Sequence, residues 1–188
     1  MAGRSERERP MRKRPASARA SLIAVDGINA AAVLAEARAA LGAPSRGGIS
    51  RWDASGVFQE LAVADQEAGA PSARTLLLLY AADLAFRLRW QIRPALAEGR
   101  TVIAAPYVDT ALAFGRAAGL KPPWLMNLFR FAPRPQQRRF VHARGAGSGG
   151  LKDGFVGFSC ERMANGGNRV ARRQLAAQTA ARLRRYDT

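Results

Sequence analysis

The chain is poor in several residues on which common functional sites depend. It has one cysteine, Cys160, so no internal disulfide can form, and one histidine, His142, so neither a metal cluster nor a histidine-based triad is expected. No uninterrupted apolar run approaches the ~20 residues that span a bilayer. The arginine-rich N-terminus lacks the apolar segment of a secretory signal. We therefore expect a cytoplasmic protein without a membrane contact, a buried structural thiol at Cys160 and an exposed loop at His142.

Acidic residues are also scarce. The 188 residues include 30 basic and 14 acidic ones, which gives a formal net charge of +16, and nearly all the basic residues are arginine. Much of the excess lies near the two ends, at Arg4, Arg7, Arg9, Arg12, Lys13, Arg14, Arg19, Arg162, Arg169, Arg172, Arg173, Arg182, Arg184 and Arg185. Such a balance favours polyanionic partners. Two interpretations stay open: a solvated charge excess without a function, which we favour because aromatic residues are not interleaved, or nucleic-acid binding through the basic termini.

The pattern of apolar residues predicts one α/β domain. Residues 1–20 are polar, charged and interrupted by prolines, which predicts a disordered basic arm, and residues 21–188 form the domain. The predicted strands are 22–25, 101–105 and 124–131, and the predicted helices are 30–41, 57–67, 81–98, 108–118 and 170–185. Gly47 and Gly48 are interpreted as a loop, and residues 134–154 as a lid-like loop. Alternating strands and helices predict a parallel sheet that helices cover on both faces.

Residues 76–116 carry the most specific pattern, LLLLYAADLAFRLRWQIRPALAEGRTVIAAPYVDTALAFGR. This segment resembles the thymidylate kinase family, whose pattern runs roughly LLLFAADRxxHxxxxIxPALxxGxxVIxDRYxxSxxAYQG, and the spacing matches without a gap. The resemblance covers a minority of the chain. It implies a three-layer fold like that of P-loop NTPases, with helices on both faces of a parallel sheet.

The phosphate-binding loop of this family reads E-G-x-D-G-x-G-K-S/T, and its glycines, lysine and hydroxyl bind phosphates and Mg²⁺. Residues 22–34, LIAVDGINAAAVL, lie at its place. The corresponding positions are Asp26 and Gly27 for E-G, Asn29 for the aspartate, and Ala32, Val33 and Leu34 for the second glycine, the lysine and the hydroxyl residue. The resemblance therefore implies a degenerate phosphate loop, or Walker A motif, and no catalytic residue.

Other positions of the family's site are kept only in part. Tyr80 holds the place of the base-stacking aromatic residue, whereas Leu84 replaces the arginine that follows it. In the D-R-Y motif Ala105 and Pro106 replace both charged residues and Tyr107 remains. The candidate nucleotide-binding residues are Arg46, Tyr80, Tyr107, Thr110 and Phe114. Structural alternatives stay open: a buried tyrosine at Tyr80, a helix cap at Thr110 and a plain turn at Arg46, which precedes the glycine pair.

Two further segments resemble the family weakly. Residues 122–135 resemble its P-D-L-T-L-L-L-D-V strand, with Arg130 at the place of the aspartate. Residues 152–155, KDGF, resemble the D-R-F pattern of its lid, with Gly154 at the place of the arginine. In both segments the charge that the family uses is missing or reversed.

The long predicted helix over 81–98 carries two apolar stripes. Leu84, Leu88, Ile92 and Leu96 recur every four residues and are expected to face the sheet. Phe86 and Trp90 form an adjoining stripe, which we interpret as a dimer face because thymidylate kinases dimerise through helices of this region. The alternative is that another helix or the C-terminal segment covers both aromatic residues.

Three functional hypotheses follow from the sequence. The first is a thymidylate-kinase-like pseudoenzyme that binds a protein partner or a nucleotide and needs no cofactor, because phosphoryl transfer depends on the cations and metal ligands that are absent here. The second is a divergent nucleotide kinase of the dTMP type that uses ATP and Mg²⁺. The third is a nucleic-acid-binding protein that uses the fold and its basic ends. A homodimer, or pairing with a related subunit, is expected under the first two.

Overall fold

Strands and helices alternate along the chain. The computed structural model describes residues 20–42, 46–64, 69–142, 153–163 and 169–186, so the predicted basic arm, apart from Ala20, lies outside the described residues. The elements in order are β1 (Ser21–Gly27), α1 (Ala30–Leu41), β2 (Gly47–Arg51), α2 (Val57–Ala64), α3 (Ala73–Arg87), a π-helical turn (Leu88–Ile92), α4 (Arg93–Ala97), β3 (Thr101–Ala105), α5 (Val108–Ala117), α6 (Pro122–Leu128), β4 (Gln137–Val141), α7 (Phe155–Arg162) and α8 (Arg169–Arg184).

The four strands form one parallel sheet in the order β2-β3-β1-β4. Ile23 of β1 pairs with Ile103 of β3 and with Gln137 of β4, and Ile49 of β2 pairs with Ile103 from the other side. Because all four strands run the same way, their carboxyl ends lie at one edge of the sheet, where parallel α/β folds place their sites.

Helices cover both faces of the sheet. On one face, Val33 and Ala37 of α1 pack against Ile23, Val25 and Ile103. On the other face a larger core joins the sheet to α3, α5 and α7, through Leu22, Ala24, Leu76, Tyr80, Leu84, Phe114 and Phe155. Alternate residues of β1 thus face opposite cores, as the period of a strand requires. The predicted α/β fold, a parallel sheet between two layers of helices, is confirmed.

The helix over 81–98 is longer and less regular than its sequence predicts. It begins at Ala73, where the Ser72 side chain accepts a hydrogen bond from the Thr75 backbone N–H, and it widens into the π-helical turn before α4. The backbone N–H of Arg93 bonds to the carbonyl of Leu88, one residue further than in an α-helix. This wider turn accommodates Pro94, whose ring would otherwise clash with the carbonyl of the preceding turn.

Three of the strand and loop predictions differ from the structure. Residues 124–131 are not a strand, because Pro122 and Pro123 open helix α6, where proline fits the first turn. The strand that pairs with β1 is instead β4, which lies inside the lid-like loop predicted over 134–154; residues 143–152 of that loop are outside the described residues. Gly47 and Gly48 likewise begin β2 and are not a loop.

Four of the remaining helices agree with the prediction, whereas α7 was not predicted. Helices α1, α5 and α8 lie where the periodicity predicts them, and α2 is described as far as Ala64 of the predicted 57–67. Cys160 is buried in α7, as expected, and burial raises the pKa of its thiol to about 11. His142 is exposed just after β4, also as expected. Within the described ranges, no helix combines the length and the apolar character needed to cross a bilayer.

Candidate functional site

A cavity of about 770 Å³ opens at the carboxyl edge of the sheet. Its walls come from the ends of β1, β2 and β3, the first turns of α1, helix α2 and the start of α7. The lining residues are Gly27, Ala30, Ala31, Val33, Leu34, Ile49, Arg51, Trp52, Asp53, Ala54, Gln59, Gln91, Ala105, Pro106, Asp153, Gly154 and Phe155. This is the position at which doubly wound sheets bind their ligands. It joins the predicted phosphate loop to the positions that the resemblance assigns to the D-R-Y motif and to the lid.

The predicted phosphate loop leads directly into helix α1. Asn29 caps this helix, because its Oδ1 accepts a hydrogen bond of 2.9 Å from the Ala32 backbone N–H. Val33, at the place of the lysine, is buried, and a Cβ built on Gly27 would lie 2.7 Å from Val33 Cγ2. Leu34, at the place of the hydroxyl residue, lines the cavity. The first turn of α1 therefore presents apolar side chains, and one of its free backbone donors is already satisfied by Asn29.

Asp26 is buried below this loop and binds the start of helix α5. Its Oδ1 accepts hydrogen bonds from the Tyr107 N–H (3.0 Å), the Thr110 N–H (2.9 Å) and the Thr110 hydroxyl (2.7 Å). The Thr110 hydroxyl in turn accepts a bond of 3.1 Å from the Gly27 N–H. Burial raises the pKa of Asp26, and the hydrogen bonds from Thr110 and Tyr107 oppose this rise. Asp26 and Thr110 thus join β1 to α5; Asp26, and not Thr110, caps the start of this helix, because its Oδ1 accepts from the Tyr107 and Thr110 N–H groups, while the buried Thr110 hydroxyl bonds to Asp26 and Gly27.

The basic residue at the cavity is Arg51, which sequence reasoning missed. Arg46, the predicted candidate, precedes β2 and therefore lies at the amino end of the strand, away from the cavity. Arg51 ends β2 and lines the cavity, and among the described lining residues it is the only basic one. An arginine at the end of a strand that precedes a loop is the signal that could have identified it. The prediction for Arg46 is wrong because the glycine pair after it begins a strand.

Two acidic residues and two amides supply most of the other polar groups of the cavity. Asp53 follows β2 and accepts a hydrogen bond of 3.0 Å from the Phe58 N–H; burial raises its pKa. Asp153 comes from the segment before α7. Gln91 lies in the π-helical turn, and its Oε1 accepts a bond of 2.7 Å from the Ser50 hydroxyl. Among the described lining residues the charged side chains are Arg51, Asp53 and Asp153, so this part of the lining carries one positive and two negative charges.

Two predicted base-binding residues lie in the core instead of the cavity. Tyr80 and Phe114 have no exposed surface, and both rings pack against Phe155. The Tyr80 hydroxyl donates to the carbonyl of Tyr107, so it is satisfied inside the protein. Neither ring can stack on a base in this conformation. The structural alternative for Tyr80, a buried tyrosine, is what the structure contains.

Tyr107 is buried as well and points away from the cavity. Its hydroxyl donates a hydrogen bond of 2.8 Å to the carbonyl of Pro133, in the loop before β4. Burial raises its pKa well above the usual range of tyrosine. Of the five predicted nucleotide-binding residues, none lines the cavity, and Thr110 contacts only its floor through Gly27.

A buried ion pair supports the cavity from below and was not predicted. Arg87 Nε lies 2.9 Å from Asp83 Oδ2, and both side chains are fully buried. Asp83 also accepts hydrogen bonds from the backbone N–H groups of Asp53 and Ser55, and Arg87 donates one of 3.0 Å to the carbonyl of Pro106. The pair therefore fixes the loops that follow β2 and β3. Two opposite charges four residues apart on the apolar face of a predicted helix are the signal that could have revealed it.

Comparison with known proteins agrees with this fold. No family model matches the sequence. The probable thymidylate kinase of Pyrococcus abyssi is 47% identical over 58 residues, which cover 31% of this chain and 28% of that protein. The probable thymidylate kinases of Pyrococcus horikoshii and Thermococcus gammatolerans match over the same length with the same identity. The matched stretch therefore spans less than a third of these relatives.

The fold of this chain is also similar to that of a solved thymidylate kinase structure. The crystal structure of thymidylate kinase from Ehrlichia chaffeensis superposes with a TM-score of 0.55 at 14% identity, covering 65% of this chain and 71% of that one. The chain is thymidylate kinase-like. Its sheet and helices form an α/β fold like that of P-loop NTPases, which places the strand-end cavity at the position where such folds bind phosphates. The sequence resemblance and the fold agree.

Proposed function

We propose that this thymidylate kinase-like chain is a pseudoenzyme, which binds a protein partner or a nucleotide and does not transfer a phosphoryl group. The observation that carries the proposal is the burial of Val33 against Gly27, at the place where the lysine of a phosphate loop would be. Val33 fills the space beside Gly27 that a lysine there would need, and it presents an apolar side chain to the cavity. The protein relies on this packing, because Val33 joins α1 to the sheet.

The other uncharged residues at the family's charged positions also argue against phosphoryl transfer. Phosphoryl transfer depends almost entirely on positioning and on electrostatic stabilisation by cations and metal ions. Leu34, Ala105 and Pro106 line the cavity without charge, and Leu84 is buried in the core. No group of three or more His, Cys, Asp or Glu side chains suited to a metal ion occurs among the described residues. These residues do not fit the phosphates of ATP or Mg²⁺.

The described lining of the cavity suits a single anionic group. Arg51 offers a bidentate donor, and Gln59 and Gln91 add amides, while Asp53 and Asp153 disfavour further negative charge. This combination suits a monophosphate better than a triphosphate. The relatives named above are thymidylate kinases, so thymidine monophosphate is the first nucleotide to test.

A divergent nucleotide kinase is the second candidate, and the persistence of the strand-end cavity with Arg51 favours it. Such an enzyme would have to hold ATP and Mg²⁺ by residues other than those of the phosphate loop. A missing cation of this kind costs about 10³-fold or more in rate, so several losses together weigh against this candidate.

The test is a phosphoryl-transfer assay with thymidine monophosphate and MgATP, together with calorimetric titration of each nucleotide. We expect no turnover from the wild type. The Arg51→Ala variant is the control, because a contaminating kinase is unaffected by it. Turnover that disappears in Arg51→Ala, or after disruption of the loop over 26–32, would overturn the pseudoenzyme proposal. Binding of thymidine monophosphate that Arg51→Ala weakens would identify the cavity as a nucleotide site; if no nucleotide binds, the protein-partner form of the proposal remains.

A further inference from the structure

A second concave surface lies on the opposite side of the turn between β3 and α5. It is a groove of about 300 Å³ between α5, the end of α6 and the loop that leads to β4. Its lining residues are Tyr107, Val108, Asp109, Leu112, Met126, Phe129, Arg130, Ala132, Pro133, Arg134, Pro135 and Arg138. It shares no lining residue with the strand-end cavity.

The described lining of the groove is electropositive. Three arginines, Arg130, Arg134 and Arg138, line it, and Asp109 is the only acidic residue among the described ones that do so. Asp109 is buried and its Oδ1 accepts a bond of 2.7 Å from Arg138 Nη2. None of the ion pairs found among the described residues uses Arg130 or Arg134. Two guanidinium groups therefore remain available to an anion, whereas the described lining of the strand-end cavity carries one arginine and two aspartates.

The loop that carries Arg134 is held at both ends. The Tyr107 hydroxyl donates to the carbonyl of Pro133 at 2.8 Å. At the other end the Gln136 N–H donates to the carbonyl of Leu22 at 2.9 Å, and Gln136 Oε1 accepts from the Leu22 N–H at 2.7 Å. Pro133 and Pro135 restrict the backbone between these anchors. A loop fixed in this way loses little entropy when a ligand binds to its arginines.

The floor of the groove is apolar, and an exposed aromatic residue is the chain neighbour of two of its lining residues. Leu112 and Phe129 are buried beneath the groove, and Met126 is 56% exposed. Phe131, which is 37% exposed, stands in the chain between two lining residues, Arg130 and Ala132. Arginines for phosphates together with an apolar floor and an exposed ring are the combination by which proteins bind single-stranded nucleic acid.

We propose that the groove between α5, α6 and β4 binds single-stranded nucleic acid, with Arg130 and Arg134 on the phosphates and Phe131 against a base. The net charge of +16 of the chain would increase the rate of encounter with such a strand. A single strand fits better than a duplex, because a groove of this volume accepts a base only when that base is unstacked. This site differs from the basic termini, since it is built into the folded domain.

The test uses a fluorescently labelled single-stranded oligonucleotide of ~12 nucleotides, a length typical of such sites. Its binding to the full chain is measured by fluorescence anisotropy at several salt concentrations. The variant Arg130→Glu/Arg134→Glu should weaken binding by about tenfold or more and reduce the slope of log K against log salt by about 2, one for each lost phosphate contact. The matched control is Arg173→Glu/Arg184→Glu, which makes the same change of charge on exposed residues of α8. We expect the control to bind nearly as tightly as the wild type. Circular dichroism checks that each variant is folded.

A third variant separates base stacking from charge. Phe131→Ala should weaken binding of the oligonucleotide by about fivefold or more, which corresponds to the low end for one stacked base, and should leave binding of inorganic polyphosphate unchanged. If Arg130→Glu/Arg134→Glu and Arg173→Glu/Arg184→Glu lose the same affinity for the oligonucleotide, binding depends on the overall charge and not on the groove, and the proposal is overturned. An unaffected Phe131→Ala, or a mononucleotide or duplex that competes as well as the single strand, would overturn it too.

Discussion

Asp26 is a buried carboxylate whose hydrogen-bond partners all belong to the protein. The resemblance assigned it to a phosphate loop, whereas its Oδ1 accepts three bonds from Tyr107 and Thr110 at the start of α5. Its role is therefore that of a helix cap provided by a neighbouring strand. This structural role accounts for the aspartate at position 26, because it holds β1 and α5 together.

This role predicts how substitutions of Asp26 affect stability. Asp26→Ala leaves two buried backbone N–H groups and a hydroxyl without an acceptor, so we expect a loss of about 2–4 kcal/mol in the free energy of unfolding. Asp26→Asn keeps an oxygen acceptor and should cost less. Urea denaturation measures both, and Glu98→Ala, which removes an exposed carboxylate, is the control. An Asp26→Ala variant as stable as Glu98→Ala would contradict the capping role.

Asp109 should give the folded state a measurable pH dependence. Burial, together with repulsion from Asp26, raises its pKa to about 6, although Arg138 opposes the rise. In an unfolded chain the pKa of aspartate is about 3.9. Between these values the folded state binds more protons than the unfolded state, so the contribution of Asp109 to stability is present below pH ~4 and is lost as the pH rises to about 6.

The variant Asp109→Asn should therefore flatten the decrease in stability between pH ~4 and about 6. The raised pKa of Asp26 acts in the same direction, so the slope should become smaller without vanishing. Removing the opposing charge in Arg138→Gln should raise the pKa of Asp109 further and move the decrease to higher pH. Urea midpoints measured across this range provide the comparison. Identical pH profiles for Asp109→Asn and the wild type would show that Asp109 does not titrate as described.

The sequence predicted which residues occupy the family's positions better than it predicted whether their side chains are buried. The sequence led to Val33 and Leu34 beside Gly27, and the structure places all three at the strand-end cavity. Tyr80 and Phe114 match the family's positions equally well, yet both are buried. A pattern of matched letters carries no information on whether a side chain faces the cavity or the core, because a small rotation of a helix changes one into the other.

At the scale of elements, the prediction succeeded where local signals agree. β1 is a short apolar run, and α1 has an asparagine cap at its start and Gly42, in a left-handed conformation, at its end. The predictions failed for β2 and β4. β4 is basic, has no fully buried residue and pairs, among the described strands, with β1 alone, so its sequence lacks the apolar alternation of a central strand.

β2 was missed because it begins with two glycines, and only one of them is needed there. A Cβ on Gly47 would lie 2.5 Å from the Thr101 carbonyl oxygen and 2.7 Å from Leu41 Cδ1, whereas a Cβ on Gly48 would meet open space. Gly47 therefore permits the close approach of β2 to β3. The glycine pair indicates close packing, and sequence reasoning took it for a turn.

The contrast between these neighbours gives a matched pair of variants. Gly47→Ala should lower the free energy of unfolding by about 1–3 kcal/mol, because the backbone of β3 must shift to admit the methyl group. Gly48→Ala, one residue along the same strand, should be neutral or slightly stabilising. Thermal and urea unfolding of the two variants measure the difference. Equal stabilities would contradict the close contact between Gly47 and Thr101.

At the scale of the whole molecule, the described surface has one exposed aromatic face on the long helix. Leu84, Leu88 and Ile92 are buried against the core, as predicted, while Phe86 is 38% exposed and Trp90 is 62% exposed. The described C-terminal helix α8 packs against α5 and α7, so it does not cover them. Arg89 lies over the Trp90 ring at 5.1 Å from its centroid, which shields only part of it. Exposed aromatic residues next to each other mark association surfaces more often than isolated apolar residues do.

We therefore expect the chain to form a homodimer, or to pair with a related subunit, through Phe86 and Trp90. Replacing both with serine should yield a folded monomer, because the lost apolar contact removes the main driving force for association without changing the core. Light scattering measures the mass, and circular dichroism checks the fold. The control Met126→Gln/Val170→Gln changes two other exposed apolar residues and should leave the dimer intact. A wild type that is monomeric at tens of micromolar without a partner subunit would refute self-association, and a dimer that survives in the Phe86 and Trp90 variant would place the interface elsewhere.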